Sequence, residues 1–195
     1  MRGIEHIPWL YDSIMRVLDA LGIGYWRREL VCRAAGRTLE VGCGTGRNLP
    51  LYSAGVQVIG LDPDAAALAR ARQRSPTVPL VIGTVEALPF RTAAFDTVVS
   101  SLVFCSVADP LRGVREIRRV LRGGGALRML EHVRDDRSVR AALQDRIQPL
   151  WTRLTGGCHP NRDTEATVEG AGFRIDESDR AATHVLRRFS ARPVS

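Results

Sequence analysis

The segment RTLEVGCGTG, residues 37–46, decides the fold. Its first half, Arg37 to Val41, contains the apolar and β-branched residues that predict a strand. Its second half has glycine at every other position, because a loop there must turn sharply and must let a ligand approach the backbone without a Cβ in the way. Open α/β sheets bind ligands beyond the carboxyl ends of their strands, where this loop would lie. The segment therefore predicts a ligand-binding junction.

The glycine spacing separates the classes of ligand. A dinucleotide-binding loop has the pattern G-x-G-x-x-G, with a helix N-terminus that faces the pyrophosphate. Here the pattern is G-x-G-x-G, and Arg47 stands at the third glycine position of the dinucleotide pattern. The sequence also lacks G-x-x-x-x-G-K-[ST], the phosphate-binding loop of nucleotide hydrolases. A dehydrogenase is therefore the weakest of the alternatives.

An acidic residue follows the loop at an informative distance. Asp62 ends the second predicted strand, about 20 residues after Gly42. An acid at that position can accept hydrogen bonds from both hydroxyls of a ribose. The alternative interpretation is that Asp62, or Asp64 beside it, caps the helix that follows.

The rest of the chain alternates short apolar strands with helices. Strands are predicted at 56–61, 78–82, 95–101 and 126–133, and a last pair at 173–175 and 184–189 could form a hairpin. Helices are predicted at 48–53, 64–74, 110–121, 138–154 (broken or bent near Pro149) and 163–171. This alternation implies one α/β domain with a mostly parallel sheet and helices on both faces. We assign residues 1–35 to an N-terminal helical cap or lid and residues 36–195 to the ligand-binding domain.

Composition excludes several classes of protein. The 195 residues suit one domain, and a hydrophobic content of 45% argues against a disordered chain. No apolar run reaches the roughly 18 residues that a membrane span needs, and Met1–His6 lack the order of a signal peptide, so we expect a cytoplasmic protein. The net charge of +7 favours acidic partners, but the basic residues are scattered, which makes nucleic-acid binding unlikely.

The cysteines predict free thiols and no metal site. Cys32, Cys43, Cys105 and Cys158 show none of the close spacings of zinc or redox motifs. Cys158-His159 is a neighbouring pair without a second such pair, which makes a poor metal site.

At this point the chain resembles a known family. Residues 39–46 resemble the first motif of class I S-adenosylmethionine-dependent methyltransferases, and residues 60–62 resemble the second. Residues 86–90, followed by Phe95-Asp96, resemble the branch that includes the ubiquinone and menaquinone methyltransferases. Residues 115–122, followed by two glycines, continue that match.

A narrower resemblance extends over the second half of the chain. Residues 102–107, Glu131-His132-Val133, residues 156–159 and Asn161-Arg162 resemble methyltransferase-like thiol S-methyltransferases and their small bacterial relatives. Some of those relatives are phospholipid N-methyltransferases.

The resemblance implies a single-domain, Rossmann-like class I methyltransferase fold with a seven-stranded sheet. It also implies S-adenosylmethionine as the cofactor and S-adenosylhomocysteine as the product. The cofactor-binding residues that it implies are Tyr11, Glu40, Gly42, Cys43, Gly44, Gly46, Asn48, Asp62, Pro63, Thr84, Val85, Glu86, Ser101 and Leu102. Thr84 departs from the family pattern, because many relatives have an acid there near the adenine amino group.

Methyl transfer needs alignment and exclusion of water more than it needs a catalytic triad. A general base is required only if the acceptor is protonated at the working pH. His132, at the end of the fifth strand, is the candidate base or acceptor-orienting group, and its alternative is an ordinary strand-end histidine. His159 is the second candidate. Cys105 is interpreted as a packing residue.

The expected function is methyl transfer from S-adenosylmethionine to a small, lipophilic acceptor. The acceptor atom is left open between a thiol, an amine or phospholipid headgroup, and a quinone-like carbon. The alternatives are a non-catalytic S-adenosylmethionine-binding module and a nucleic-acid methyltransferase. The amphipathic segment 7–21 is interpreted as a lid, with contact to a membrane surface as the less favoured alternative.

Overall fold

The computed structural model describes residues 7–135, 137–183 and 185–194. Residues 1–6 and His184 lie outside the described residues. The prediction about a signal peptide and the start of the predicted cap fall on residues 1–6, and His184 belongs to the last predicted strand. The chain forms a seven-stranded sheet with the order β3-β2-β1-β4-β5-β7-β6. Its strands are β1 (Arg37–Val41), β2 (Gln57–Asp62), β3 (Leu80–Ile82), β4 (Phe95–Ser101), β5 (Leu121–His132), β6 (Phe173–Ala182) and β7 (Leu186–Pro193).

The pairing of the strands places five carboxyl ends at the same edge of the sheet. The neighbours from β3 through β5 pair in parallel, while β7 pairs antiparallel with both β5 and β6. The hairpin predicted for the last two strands is therefore confirmed. Because β1 through β5 run in the same direction, the loops that follow them meet on the same side of the sheet.

Six α-helices accompany the sheet. They are α1 (Pro8–Leu18), α2 (Gly24–Val31), α3 (Ala65–Arg74), α4 (Pro110–Val120), α5 (Ser138–Thr155) and α6 (Thr164–Gly170) in the described residues. A π-helical turn, Asp19–Ile23, joins α1 to α2, and Gly22 within it has a φ of 126°. Among the described residues, no helix is long and apolar enough to cross a membrane.

Several predicted boundaries hold and others need correction. The strands at 37–41 and 95–101 are observed as predicted. The predicted helix at 48–53 is only a 3₁₀ turn over Leu49–Leu51, since the chain is already extended at Tyr52. The predicted break near Pro149 is absent: α5 continues through it. A proline removes one helical hydrogen bond, and α5 is largely exposed, so water can satisfy the freed carbonyl.

The fifth and sixth strands are longer than predicted because pairing extends them beyond their apolar residues. β5 begins at Leu121, directly after α4, and the glycines at 123–125 fall in an irregularity of its pairing with β4. β6 continues to Ala182 because its polar second half pairs with β7. Cross-strand hydrogen bonds thus pair the backbone groups of residues that lie beyond the apolar pattern by which the strands were predicted.

Two apolar layers confirm that helices cover both faces of the sheet. One core contains Leu39, Val98 and Ile117, and it lies between the sheet and α4. The second contains Leu30 and Leu130, and it lies between the sheet and α2. Packing on both sides holds the central strands rigid, which fixes the loops at their carboxyl ends.

A candidate active site at the carboxyl ends of the strands

A cavity of about 540 Å³ lies at the carboxyl ends of the central strands. The glycine loop and Asp62 line one part of it, and α1 lines another. The loop after β4, His132 and the end of α5 line the remainder. The lining includes these predicted site residues: Tyr11, Gly42, Gly44, Asp62, Pro63, Thr84, Val85, Glu86, Leu102 and His132. Nine of the fourteen residues predicted to bind the cofactor therefore line this cavity.

The glycines of the loop serve different purposes. Gly44 has a φ of 53°, and a Cβ built on it meets no heavy atom within 4 Å, so this part of the backbone faces open space in the cavity. Gly42 has a φ of 60°, and its Cβ would lie 2.5 Å from a methyl of Val103. Glycine at position 44 thus leaves room for a ligand, and glycine at position 42 lets the loop after β4 pack on the glycine loop.

Asp62 holds the loop in this shape. One carboxylate oxygen accepts the backbone N–H of Gly44 at 2.8 Å, and the other accepts the N–H of Asp64 at 2.9 Å. Burial raises the pKa of Asp62, although both N–H groups oppose that shift. The helix cap is Asp64, whose side chain accepts the N–H groups of Ala66 and Ala67. Each oxygen of Asp62 retains a lone pair for a further donor from the cavity.

The adjacent wall combines a short turn with a strained residue. Thr84 precedes a 3₁₀ turn over Val85–Ala87, and the carboxylate of Glu86 accepts the N–H of Ala108 at 3.2 Å. Leu102 has a φ of 61°, a left-handed conformation that costs a non-glycine residue roughly 1–2 kcal/mol. Such strain persists only where the surroundings enforce it, and it is common at binding sites.

Glu40, Asn48 and Ser101 lie behind the loop rather than on the cavity. Glu40 is fully buried and accepts hydrogen bonds from Asn48 at 3.0 Å and from the Tyr52 hydroxyl at 2.9 Å. Burial raises the pKa of Glu40 to about 7. The guanidinium of Arg27 donates to both Asn48 and Ser101. These predicted residues therefore form one internal network that supports the loop.

Two further predicted residues also face away from the cavity. Cys43 is buried, and its sulfur would lie 2.9 Å from a Cβ on Gly60 of β2. Burial raises the pKa of the Cys43 thiol well above its usual range. Gly46 packs closely on Ala71 of α3. Both positions shape the loop from behind.

Asp12, which was not among the predicted site residues, attaches α1 to the loop. Its carboxylate is buried and accepts a hydrogen bond from the Thr45 hydroxyl. Arg47 and Arg74 also donate to it, at 3.3 and 3.2 Å. Burial raises the pKa of Asp12, but the Thr45 hydroxyl and the Arg74 charge outweigh burial and lower it overall. Nothing in the spacing of Asp12 along the chain indicates this long-range contact.

The far wall of the cavity holds a cluster of Cys105, His132 and Cys158, which we call the soft-donor cluster. One ligand atom from each residue lies within 4.8 Å of the other two. All three line the cavity, and no disulfide joins the cysteines. A hydrogen bond from Cys105 lowers the pKa of the Cys158 thiol, with further help from His132 and Trp151. The same contact with Cys158, together with burial, raises the pKa of Cys105.

His132 and His159, the two candidate catalytic histidines, have different environments. The Nδ1 atom of His132 is buried and has no hydrogen-bond partner among the described residues. His159 does not line the cavity, and its Nδ1 lies 2.7 Å from the carbonyl of Gly157. Its backbone N–H donates to the carbonyl of Cys105 at 2.8 Å. His159 thus positions the segment that carries Cys158, whereas His132 faces the cavity.

Glu131 fixes the loop that carries Cys105. Its buried carboxylate accepts the Ser100 hydroxyl at 2.6 Å and the N–H groups of Val103 and Phe104, both at 3.0 Å. Burial raises the pKa of Glu131 to about 7. The loop is held from a second direction by the guanidinium of Arg162, which donates to the carbonyls of Phe104 and Val107, both at 2.6 Å.

The strand order, the G-x-G-x-G loop after β1 and the acid at the end of β2 together define a Rossmann-like methyltransferase architecture. A family model described as a methyltransferase domain matches residues 39–129. Human thiol S-methyltransferase TMT1B is 32% identical over 170 residues, which cover 79% of this chain and 70% of the human protein. The chain spans 59% of the rat TMT1B protein, to which it is 34% identical over 143 residues.

Two other comparisons agree. Phosphatidylethanolamine N-methyltransferase of Cereibacter sphaeroides is 40% identical over 115 residues, which cover 56% of this chain and 57% of that protein. A Thermotoga maritima structure described as a SAM-dependent methyltransferase, possible histamine N-methyltransferase, has a TM-score of 0.69 at 20% identity, covering 96% of this chain and 98% of that one. The chain belongs to the class I S-adenosylmethionine-dependent methyltransferases. The predicted family resemblance and fold class are confirmed.

Proposed function

We propose that this methyltransferase transfers the methyl group of S-adenosylmethionine to the thiol sulfur of a small, apolar molecule. The observation that carries the proposal is the continuity of the cavity, which extends from Gly44 and Asp62 to the soft-donor cluster. A cofactor on the first side and an acceptor on the second would share one enclosed space.

The cofactor side fits the group that the family uses. Open space above Gly44 admits a ligand against the backbone, and Asp62 has acceptor capacity for the two ribose hydroxyls. Thr84 and Val85 would contact the adenine, and Tyr11 would contact the methionine end. When bound, the cofactor supplies a methyl group activated on a sulfonium.

The acceptor side favours an apolar molecule. This wall presents mainly hydrocarbon and aromatic surface to the cavity. It comprises Ile14 and Leu18 of α1, Val107 of the loop after β4, and Trp151 of α5. Such a lining excludes water, which competes with the acceptor and weakens the alignment that methyl transfer requires.

A thiol acceptor matches the polar groups on this wall. The thiolate is the nucleophilic form of a thiol, so the site must help the acceptor to lose its proton. The soft-donor cluster, which contains His132, is the part of the lining that can orient the sulfur and assist this loss. The relatives named as thiol S-methyltransferases support this choice over an amine.

We also propose that residues 7–21 form the lid of the site. Residues of α1 line the cavity, and Asp12 attaches this helix to the glycine loop through Thr45. A lid that closes on the loop would sequester both reactants from water.

The test is an acceptor comparison with matched molecules. Purified protein and methyl-labelled S-adenosylmethionine are incubated with benzyl mercaptan, benzylamine, phosphatidylethanolamine vesicles or a demethylated quinone, and the methylated products are quantified. We expect transfer to benzyl mercaptan, and loss of that transfer in Asp62→Ala. The matched control is Asp176→Ala, which removes an exposed carboxylate of β6 and should retain activity. Preferential methylation of the amine, the lipid or the quinone would overturn the thiol assignment.

A further inference from the structure

We infer that Cys105, His132 and Cys158 form a binding site for one zinc-class divalent metal ion, with an open coordination position that faces the acceptor end of the cavity. The role that we give this ion, which is to hold the acceptor sulfur, rests on the proposed function. The site itself rests on the geometry and chemistry of the three side chains.

The distances suit a tetrahedral ion. Zinc binds thiolates at about 2.3 Å and imidazole nitrogens at about 2.0–2.1 Å, which places neighbouring ligand atoms roughly 3.5–4 Å apart. The three ligand atoms of the cluster already lie within 4.8 Å of one another. Small side-chain rotations would therefore complete the geometry without moving the backbone.

The donor set also points to a metal. Two cysteines and one histidine form a known ligand set of zinc sites that keep a position open for water or substrate. The buried Nδ1 of His132 has no partner among the described residues, and an unsatisfied buried nitrogen is costly. Coordination through Nδ1 would satisfy this atom.

The surroundings hold the ligands in place from three sides. Cys105 follows the loop that Glu131 binds, and its carbonyl accepts the N–H of His159. The carbonyl of Cys158 accepts the Thr152 hydroxyl of α5 at 2.8 Å. The N–H of Cys158 donates to the Thr155 hydroxyl at 3.3 Å, and outer contacts of this kind orient the residues that bind a metal.

The open position explains how an acceptor thiol could react. On binding, the S–H bond of the acceptor breaks, a metal–sulfur bond forms and the proton passes to solvent, because a coordinating thiol is deprotonated. The sulfur then uses a lone pair to form a bond to the methyl carbon, while the carbon–sulfonium bond breaks and its electron pair remains on the departing sulfur. The product is a neutral thioether, a weaker ligand than a thiolate, and it can leave.

Metal binding is tested on the full chain without reference to activity. Protein stripped with a chelator and kept in a phosphine reductant is titrated with zinc by calorimetry, and bound metal is counted by mass spectrometry after gel filtration. We expect one zinc ion per chain. Cys105→Ser and Cys158→Ser should each weaken binding by more than about a hundredfold, since the loss of an outer-shell partner alone typically costs 10–100-fold. Cys32→Ser, which changes an exposed cysteine, is the matched control and should bind as the unmodified protein does.

A second readout follows the acceptor. With cobalt in place of zinc, the thiolate-to-metal charge-transfer band should appear in the unmodified protein and change when benzyl mercaptan is added. Circular dichroism and S-adenosylhomocysteine binding verify that the cysteine variants are folded. Absence of zinc binding in the reduced protein, or equal binding in Cys158→Ser, would overturn the site. Full thiol methylation by zinc-free enzyme would overturn the role of the metal and leave the proposed function intact. Zinc binding without thiol methylation would support the site and refute the proposed function.

Discussion

The carboxylate of Asp12 in α1 accepts a 2.7 Å hydrogen bond from the hydroxyl of Thr45 in the glycine loop. Arg47 and Arg74 donate to the same carboxylate, so a buried negative charge joins the N-terminal segment to the cofactor side of the cavity. Because α1 also lines that cavity, this contact couples the position of the helix to the shape of the loop.

Replacing Asp12 should therefore weaken both stability and cofactor binding. Asp12→Asn removes the negative charge that faces half-buried Arg47 and exposed Arg74, and losing hydrogen bonds to a charged group of this kind costs about 1.5–3 kcal/mol. Denaturant unfolding and S-adenosylhomocysteine calorimetry measure the two effects. Asp145→Asn is the control, since Asp145 pairs with Arg134 on the surface, where solvent screens the pair and its loss should leave stability nearly unchanged. An Asp12 variant with unchanged affinity would show that α1 does not act on the loop.

The open space above Gly44 predicts a specific loss of affinity. Gly44→Ala should cost roughly 1–2 kcal/mol in stability from left-handed strain, and it should also weaken S-adenosylhomocysteine binding because the new methyl enters the cavity. Gly55→Ala is matched, since Gly55 has a φ of 94°, its Cβ also meets nothing within 4 Å, and it does not line the cavity. It should lose similar stability and retain affinity. Equal affinity losses in both variants would mean that strain alone is responsible.

The buried Glu40 predicts a dependence of stability on pH. Burial raises its pKa from 4.5 to about 7, so the folded protein binds this proton more tightly than the unfolded chain does. The resulting stabilisation is fully present below pH 4.5 and is lost as the pH rises to about 7. Glu40→Gln should remove this loss, which amounts to at most about 3.5 kcal/mol at 1.4 kcal/mol per pKa unit. Unfolding free energies of both proteins, measured at several values across this range, should converge at low pH. Parallel curves would assign the pH dependence to other groups.

Local pattern explains what could be predicted from the sequence. The predictions for residues 37–46 and Asp62 depend on a strand, a turn and the number of residues between Gly42 and Asp62, all of which can be recognised along the chain. The structure places Gly42, Gly44 and Asp62 on the cavity. The contact of Asp12 with Thr45 is different, because it joins two segments that no periodicity relates.

The soft-donor cluster escaped prediction for the same reason. Cys105 follows β4, His132 ends β5 and Cys158 follows α5, and only folding brings the three together. Cys158 and His159 are adjacent in the sequence, yet the imidazole that lines the cavity beside Cys158 is that of His132. The motif position of Glu40 could be recognised from the sequence, but its buried hydrogen bond with the Tyr52 hydroxyl could not.

The packing of Val103 against Gly42 has a consequence for the order of events in turnover. Val103 belongs to the loop that carries Cys105, so the segment that touches the glycine loop also forms the acceptor wall. A ligand that restricts the motion of the glycine loop would therefore restrict the motion of the acceptor wall as well. We expect an ordered kinetic scheme in which the methyl donor binds first and the demethylated donor leaves last. In product-inhibition experiments, S-adenosylhomocysteine should then compete with the donor and not with the acceptor.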